Sequence, residues 1–273
     1  MLLELEWPHS YFWCFLWLSC FGLRQESTPL GESMNILHRL RSLTKDEIGP
    51  WWPYRHYVYD ELQAMGVKPG DIFCREGNAF LYGFFPFSKF ICYLTGSKYS
   101  HAAIAIDTKE DILLADVDRG GLNRAFIYDW CNAIRGNDFS VLRYNGAYGN
   151  EKAIPALAVE NAKKLIKLDP RKESDFKDDD SINFYCVELV CWCYLRAGIL
   201  LCKDVPIKDL PGWKKWLNPI AKLEGIDYNH PVWCVGNEKI GLMSSPALRL
   251  VGTVKLPQGT TAKRFSKLRL NGA

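Results

Sequence analysis

Residues 182–200, INFYCVELVCWCYLRAGIL, constrain this chain more than any other stretch. From Cys186 to Leu201 only Glu188 and Arg196 carry charge. A helix here is apolar nearly all round and has to be buried centrally. Gly198 marks its end, and the change from the polar, acidic loop DPRKESDFKDDDSI to apolar residues near Phe184, Tyr185 and Cys186 marks its start. The helix therefore opens on a thiol. A cysteine in a first turn meets unpaired backbone N–H groups and the positive end of the helix dipole, and both favour thiolate. Cys191 and Cys193 lie further in, where apolar burial raises a thiol pKa and leaves it inert. Either Cys186 is a nucleophile at a helix head, or all three thiols are small hydrophobes in a core.

What surrounds this helix sets the fold class. PYRHYVYDELQAMG predicts a helix opened by Pro53 and closed by Gly66, and VKPGDIFCREG a turn at Pro69-Gly70 followed by a strand over 71–75. Residues 80–96, FLYGFFPFSKFICYLTG, are strongly aromatic, and Gly83 and Pro86 break them into a loop and a short helix. SHAAIAID, DILLADV and GGLNRAF read as three strands, IYDWCNAIRG as a helix ending at Gly136, and FSVLRYN as a further strand. EKAIPALAVENAKKLIKL is a helix despite Pro155 in its first turns. VPIKDLPGWKKWLNPIAKLEG is broken by three prolines into short helices or loops covering one face, and ALRLVGTVKL alternates as a late strand. Strands and helices come in runs rather than βαβ units. The class predicted is α+β, a mostly antiparallel sheet packed on the central cysteine-bearing helix, with residues 34–273 as one domain.

Composition narrows the function. The chain has 273 residues, 48% hydrophobic and 24% charged, with a net charge of +3 that is too small to argue for nucleic acid. Its ten cysteines fall mostly inside apolar runs and form no CxxC pair, which favours free thiols and a cytoplasmic setting. Cys191 and Cys193 point about 200° apart on a helix, so they cannot chelate one metal together. No cofactor or metal is called for. Residues 11–23 are an apolar run of thirteen, shorter than the roughly 20 residues needed to span a bilayer. Glu4 and Glu6 give the preceding residues the wrong sign for a signal peptide, Trp17 spoils a lipobox at Cys20, and MNILHRLRSL from Met34 reads as a more ordinary start. Residues 1–33 thus stay open between a degenerate signal, a membrane-touching segment and an over-extended start. The basic tail, Lys263, Arg264, Lys267 and Arg269, is a frayed terminus or a contact for an anionic surface such as lipid headgroups.

A nucleophilic cysteine needs a base. Of the five histidines only His101 heads a strand, in GSKYSHAAIAID, where its side chain can emerge at a sheet edge beside a helix start. Cys186 and His101 in contact make a pair of the papain kind, and a third polar group should orient the imidazole through its other nitrogen. Asp116 in DILLADV is preferred for that role over Asp107 and Asp111. Each residue has a plain structural alternative. A cysteine at an apolar helix start packs, a histidine at a strand head is often just hydrogen-bonded, and Asp116 before VDRGG fits turn chemistry.

These residues resemble a known family. VKPGDIFCREG, then TGSKYSHAAIAID, then DDDSINFYCVELVCWCY are similar to the YiiX-like branch of the NlpC superfamily, the circularly permuted papain-like hydrolases. In the usual order of that superfamily the cysteine helix comes first; here Pro69-Gly70-Asp71 and His101 precede Cys186, as in the permuted branch. The likeness runs from about residue 66 to 200. It implies Cys186 as nucleophile, His101 as general base and a polar residue on the next strand, with neither metal nor cofactor. The sequence departs from the family where Leu114 or Ala115 stands near that third position, with Asp116 one or two residues on, and where Val187 stands in place of the serine that often follows the nucleophile. The reaction implied is acyl transfer to Cys186 from an amide or ester, followed by hydrolysis or transfer to another nucleophile. The substrate stays open between a peptide or other amide and a lipid ester, which the aromatic segment 80–96 would suit. The rival class is an inert binding or membrane-associated relative on the same fold. A lipid acyltransferase, as in the related lecithin retinol acyltransferase family, is a further alternative. The WKKW and HPVWC phrases find no place in this scheme.

Overall fold

The computed structural model describes residues 55–79, 86–118, 121–132, 138–167, 185–223 and 227–256. The expectations for residues 1–33, Gly83, Gly136, the acidic loop and the basic tail lie outside these residues.

The PGD turn organises the sheet. Helix α1 (Arg55–Ala64) ends before Gly66, and Asp71 then closes a turn by donating its N–H to the Lys68 carbonyl, which is why strand β1 (Ile72–Arg75) starts one residue later than the sequence suggests. The Asp71 side chain is 1% exposed and is clasped by Arg143, whose Nε and NH2 groups reach its two oxygens at 2.7 Å each, while the Lys68 N–H donates at 2.8 Å. Gly70 has φ +92°, and a Cβ there would lie 2.5 Å from the Pro155 Cβ, so the turn needs glycine for both conformation and space.

Short helix α2 (Phe87–Thr95) leads to β2 (His101–Asp107), β3 (Leu113–Asp118) and β4 (Gly121–Phe126), then α3 (Ile127–Asn132), β5 (Asp138–Tyr144), α4 (Ala153–Lys167) and α5 (Cys186–Arg196). Strand β8 (Leu248–Lys255) closes the sheet. Its order is β4-β3-β2-β1-β5-β8, and every neighbouring pair is antiparallel. Alternation along the strands builds two cores. Even residues of β2, Ala102, Ile104 and Ile106, meet α4 and α5 through Ala158, Ala162, Leu189 and Val190. Odd residues Ala103 and Ala105 share the other face with Phe73, Leu114, Val58 and Leu62 of α1, and Ile127 and Trp130 of α3. The α+β class with an antiparallel sheet is therefore what the chain adopts.

The proline-broken segment forms a third, smaller cluster. Strand β6 (Val205–Pro206) pairs with β7 (Pro231–Val232), and a 3-10 turn at Ile207–Asp209 and helix α6 (Leu217–Leu223) pack with Leu94 of α2. A strand of two residues has no alternation to read, so this ribbon leaves no trace in the sequence pattern. Among the described residues no helix is long and apolar enough to cross a membrane.

Candidate active site

Strands β2 and β3 are hydrogen-bonded only from Ile104–Ala115 onward, although β2 begins at His101 and β3 runs to Asp118. The strands part at that end. On β2 the odd residue Ala105 turns its N–H toward β1, to Asp71, so the even residues direct theirs toward β3. Past Ile104 those groups have no strand to meet, and the head of α5 fills the gap. Cys186 Sγ lies 3.9 Å from the Ser100 carbonyl as a thiol donor, and the Ala102 N–H is directed at the sulfur.

The same gap joins the two faces of the sheet. His101 and Asp116 belong by alternation to the face of Phe73 and Leu114, whereas α5 packs on the opposite one. Only where β3 has moved away can a helix on one face reach an imidazole on the other. His101 Nε2 is 2.7 Å from Asp116 Oδ1, with the two side chains 13% and 4% exposed. With Nε2 so engaged, Nδ1 is the nitrogen left for the Cys186 side. The Trp130 ring lies behind the imidazole, centroid to centroid 6.2 Å, and the Arg75 guanidinium is 4.6 Å from the centre of the Trp130 ring.

The electrostatics follow from these contacts. Burial pushes the His101 imidazole down, but the Asp116 carboxylate and the Cys186 sulfur opposite it, working against Arg75, raise it to about 9. Burial works against the Asp116 carboxylate too, yet His101, Arg75 and the Val117 N–H hold it below its usual range. Cys186 is pushed up by burial and by Asp116, and brought below its ordinary value by His101, through charge and hydrogen bond, and by the Ala102 N–H. Its residue is partly exposed. Burial drives Cys74, Cys191 and Cys193 far up, Cys131 and Cys234 to about 12 and Cys92 to about 11. Cys186 is thus brought down where these six thiols are driven up.

Two features of the site lie beyond the sequence expectations. Tyr185, directly before the thiol, receives the Trp233 N–H on its hydroxyl at 2.7 Å and donates to the Trp233 carbonyl at 2.9 Å, which ties the HPVWC segment to the helix head. Nothing local in either segment signals that meeting across 48 positions. Arg75 did leave a signal: it follows Phe73 at the spacing of one strand face, a charge where alternation asks for an apolar residue.

No family model and no curated protein sequence matches the chain. A solved structure does. The metalloprotein YiiX from Escherichia coli O157:H7, of the group DUF1105, superposes with a TM-score of 0.53 at 19% identity, over 70% of this chain and 98% of that one. The fold is YiiX-like. That protein is described as a metalloprotein; in this chain no group of three or more His, Cys, Asp or Glu side chains among the described residues is arranged to hold a metal ion. His101 Nε2 is directed at Asp116 and the imidazole interacts with Cys186, so the polar residues of the site are engaged with one another and do not converge on a metal position.

Proposed function

We propose that this protein is a thiol hydrolase of permuted papain-like type, cleaving an amide or ester through a Cys186–His101 pair oriented by Asp116. The observation that carries the reading is that Cys186 meets His101 where β2 and β3 part, with its thiol held down while the imidazole is held up to about 9. These opposite displacements favour passing the thiol proton to the imidazole, the direction in which a thiolate–imidazolium pair forms. The chain order, with the histidine strand ahead of the cysteine helix, supports the permuted assignment.

In this mechanism the Cys186 thiolate attacks the substrate carbonyl, forming the S–C bond and a tetrahedral oxyanion. Cys186 opens α5, so its own N–H has no carbonyl partner within the helix and can donate to that oxygen. As the intermediate collapses, the C–N or C–O bond breaks and the imidazolium gives its proton to the leaving group. Neutral His101 next takes a proton from water, whose oxygen adds to the thioester. The S–C bond breaks, the acid is released, and the thiolate–imidazolium pair is restored. Asp116 holds the ring in one orientation throughout and stays an anion.

The test is to trap the acyl enzyme. A short-chain p-nitrophenyl ester is mixed with the protein, quenched in acid, and the peptides are mapped by mass spectrometry. The reading expects one acyl group on Cys186, absent in Cys186→Ala and much reduced in His101→Gln. Acyl groups spread over exposed lysines, with Cys186 unmodified, would contradict it.

A further inference from the structure

Arg75 ends β1 directly opposite His101 in the antiparallel register. It is 4% exposed, an unusual burial for an arginine. Like Phe73 before it, its side chain belongs to the face that carries His101 and Asp116, and its guanidinium lies 4.6 Å from the centre of the Trp130 ring. That ring is in turn 6.2 Å from the imidazole. A fixed cation, an aromatic plate, the imidazole and the carboxylate from β3 therefore lie together on one buried face of the sheet.

We propose that Arg75 is a positioning residue of this site: held over Trp130, its guanidinium acts on the His101–Asp116 pair through space, keeping the carboxylate an anion and the imidazolium able to release its proton. The proposal rests on the thiol chemistry argued above. An ionised aspartate is a stronger partner for a buried imidazolium than a neutral amide would be, and unopposed it would hold the proton when the leaving group needs it. Arg75 supplies the opposing field. Among the described residues, the groups facing the imidazole are Asp116 from β3, the Cys186 sulfur from α5, Arg75 from β1 and uncharged Trp130 from α3. Cys131 of α3, which also feels Arg75, is pushed up to about 12 by burial and adds no charge near neutral pH. In this set the Arg75 charge pulls the ionisation of both His101 and Asp116 downward.

The experiment is an NMR titration of the His101 ring signals in the full chain, assigned with His101→Gln, for wild type, Arg75→Met and Arg75→Lys. Wild type should titrate near the value of about 9 that its surroundings give it. Loss of the charge should move the midpoint up by on the order of one unit, and Arg75→Lys should bring it back toward wild type. The alkaline limb of acyl-enzyme formation should follow the same shifts. An Arg75→Met protein that is folded and titrates with wild type overturns the proposal. Should methionine cost the fold, Arg75→Gln, which keeps polarity without charge, is read the same way. Failure of the underlying chemistry looks different: wild-type His101 would titrate as a free imidazole, and Cys186 would react as an ordinary thiol.

Discussion

His101 Nε2 and Asp116 Oδ1 stand 2.7 Å apart on two strands that, at that point, are no longer hydrogen-bonded to each other. The ion pair bridges the opening through which α5 brings Cys186 to the imidazole. A continuous β2–β3 ladder would seal the helix on one face and the histidine on the other.

Replacing Asp116 therefore has a signed effect on pH dependence. Its charge raises His101, so Asp116→Asn lowers the imidazole pKa. In the proposed mechanism the proton given to the leaving group is lost once His101 deprotonates. The alkaline limb of acyl-enzyme formation, placed near 9 in the wild type, should move to lower pH in Asp116→Asn. Asp116→Ala, which also frees the ring, should slow the step by roughly 10²-fold. Stopped-flow release of p-nitrophenol across pH 5–10 reads both.

The PGD aspartate should matter for stability and not for chemistry. Asp71 is buried and doubly held by Arg143, away from the thiol. Losing the charge at position 71 breaks the pairing of a buried carboxylate with a half-buried guanidinium, so Asp71→Asn should cost about 1–3 kcal/mol in urea unfolding. The reactivity of Cys186 in the remaining folded protein should be unchanged.

Tyr185 is expected to hold the HPVWC segment against the helix head. Tyr185→Phe leaves the Trp233 N–H and carbonyl without their hydroxyl partner, at a cost of about 1–3 kcal/mol. Hydrogen exchange of the Trp233 amide should quicken in the variant, while that of the β1 amides should not.

The sheet and the site residues were legible in the sequence to different depths, for physical reasons. Strands β2, β3 and β5 announce themselves because their faces are both buried or cleanly alternating, and α5 because an apolar run of that length with two charges has few other fates. Leu114 and Asp116 share a face of β3, a relation open to sequence reading because side-chain period is fixed by the pleat. What stayed hidden was created by long-range pairing. The parting of β2 from β3, the Tyr185–Trp233 clasp and the β6–β7 ribbon depend on which backbone groups meet, and no residue type records that. Arg75 lies between the two. Its charge shows in the sequence, whereas its place opposite His101 comes only from the strand register.

The most direct test of the central claim is the pH dependence of iodoacetamide alkylation, mapped residue by residue by mass spectrometry, in wild type and His101→Ala. Cys186 should react fast below about pH 7, well under the pKa of roughly 8.5 of a free thiol, while Cys74, Cys191 and Cys193 stay unmodified in the folded protein. In His101→Ala the fast reaction should vanish. If instead Cys186 alkylates no faster than Cys191 and Cys193 and is indifferent to the His101 change, the thiol is packing and the enzyme reading falls.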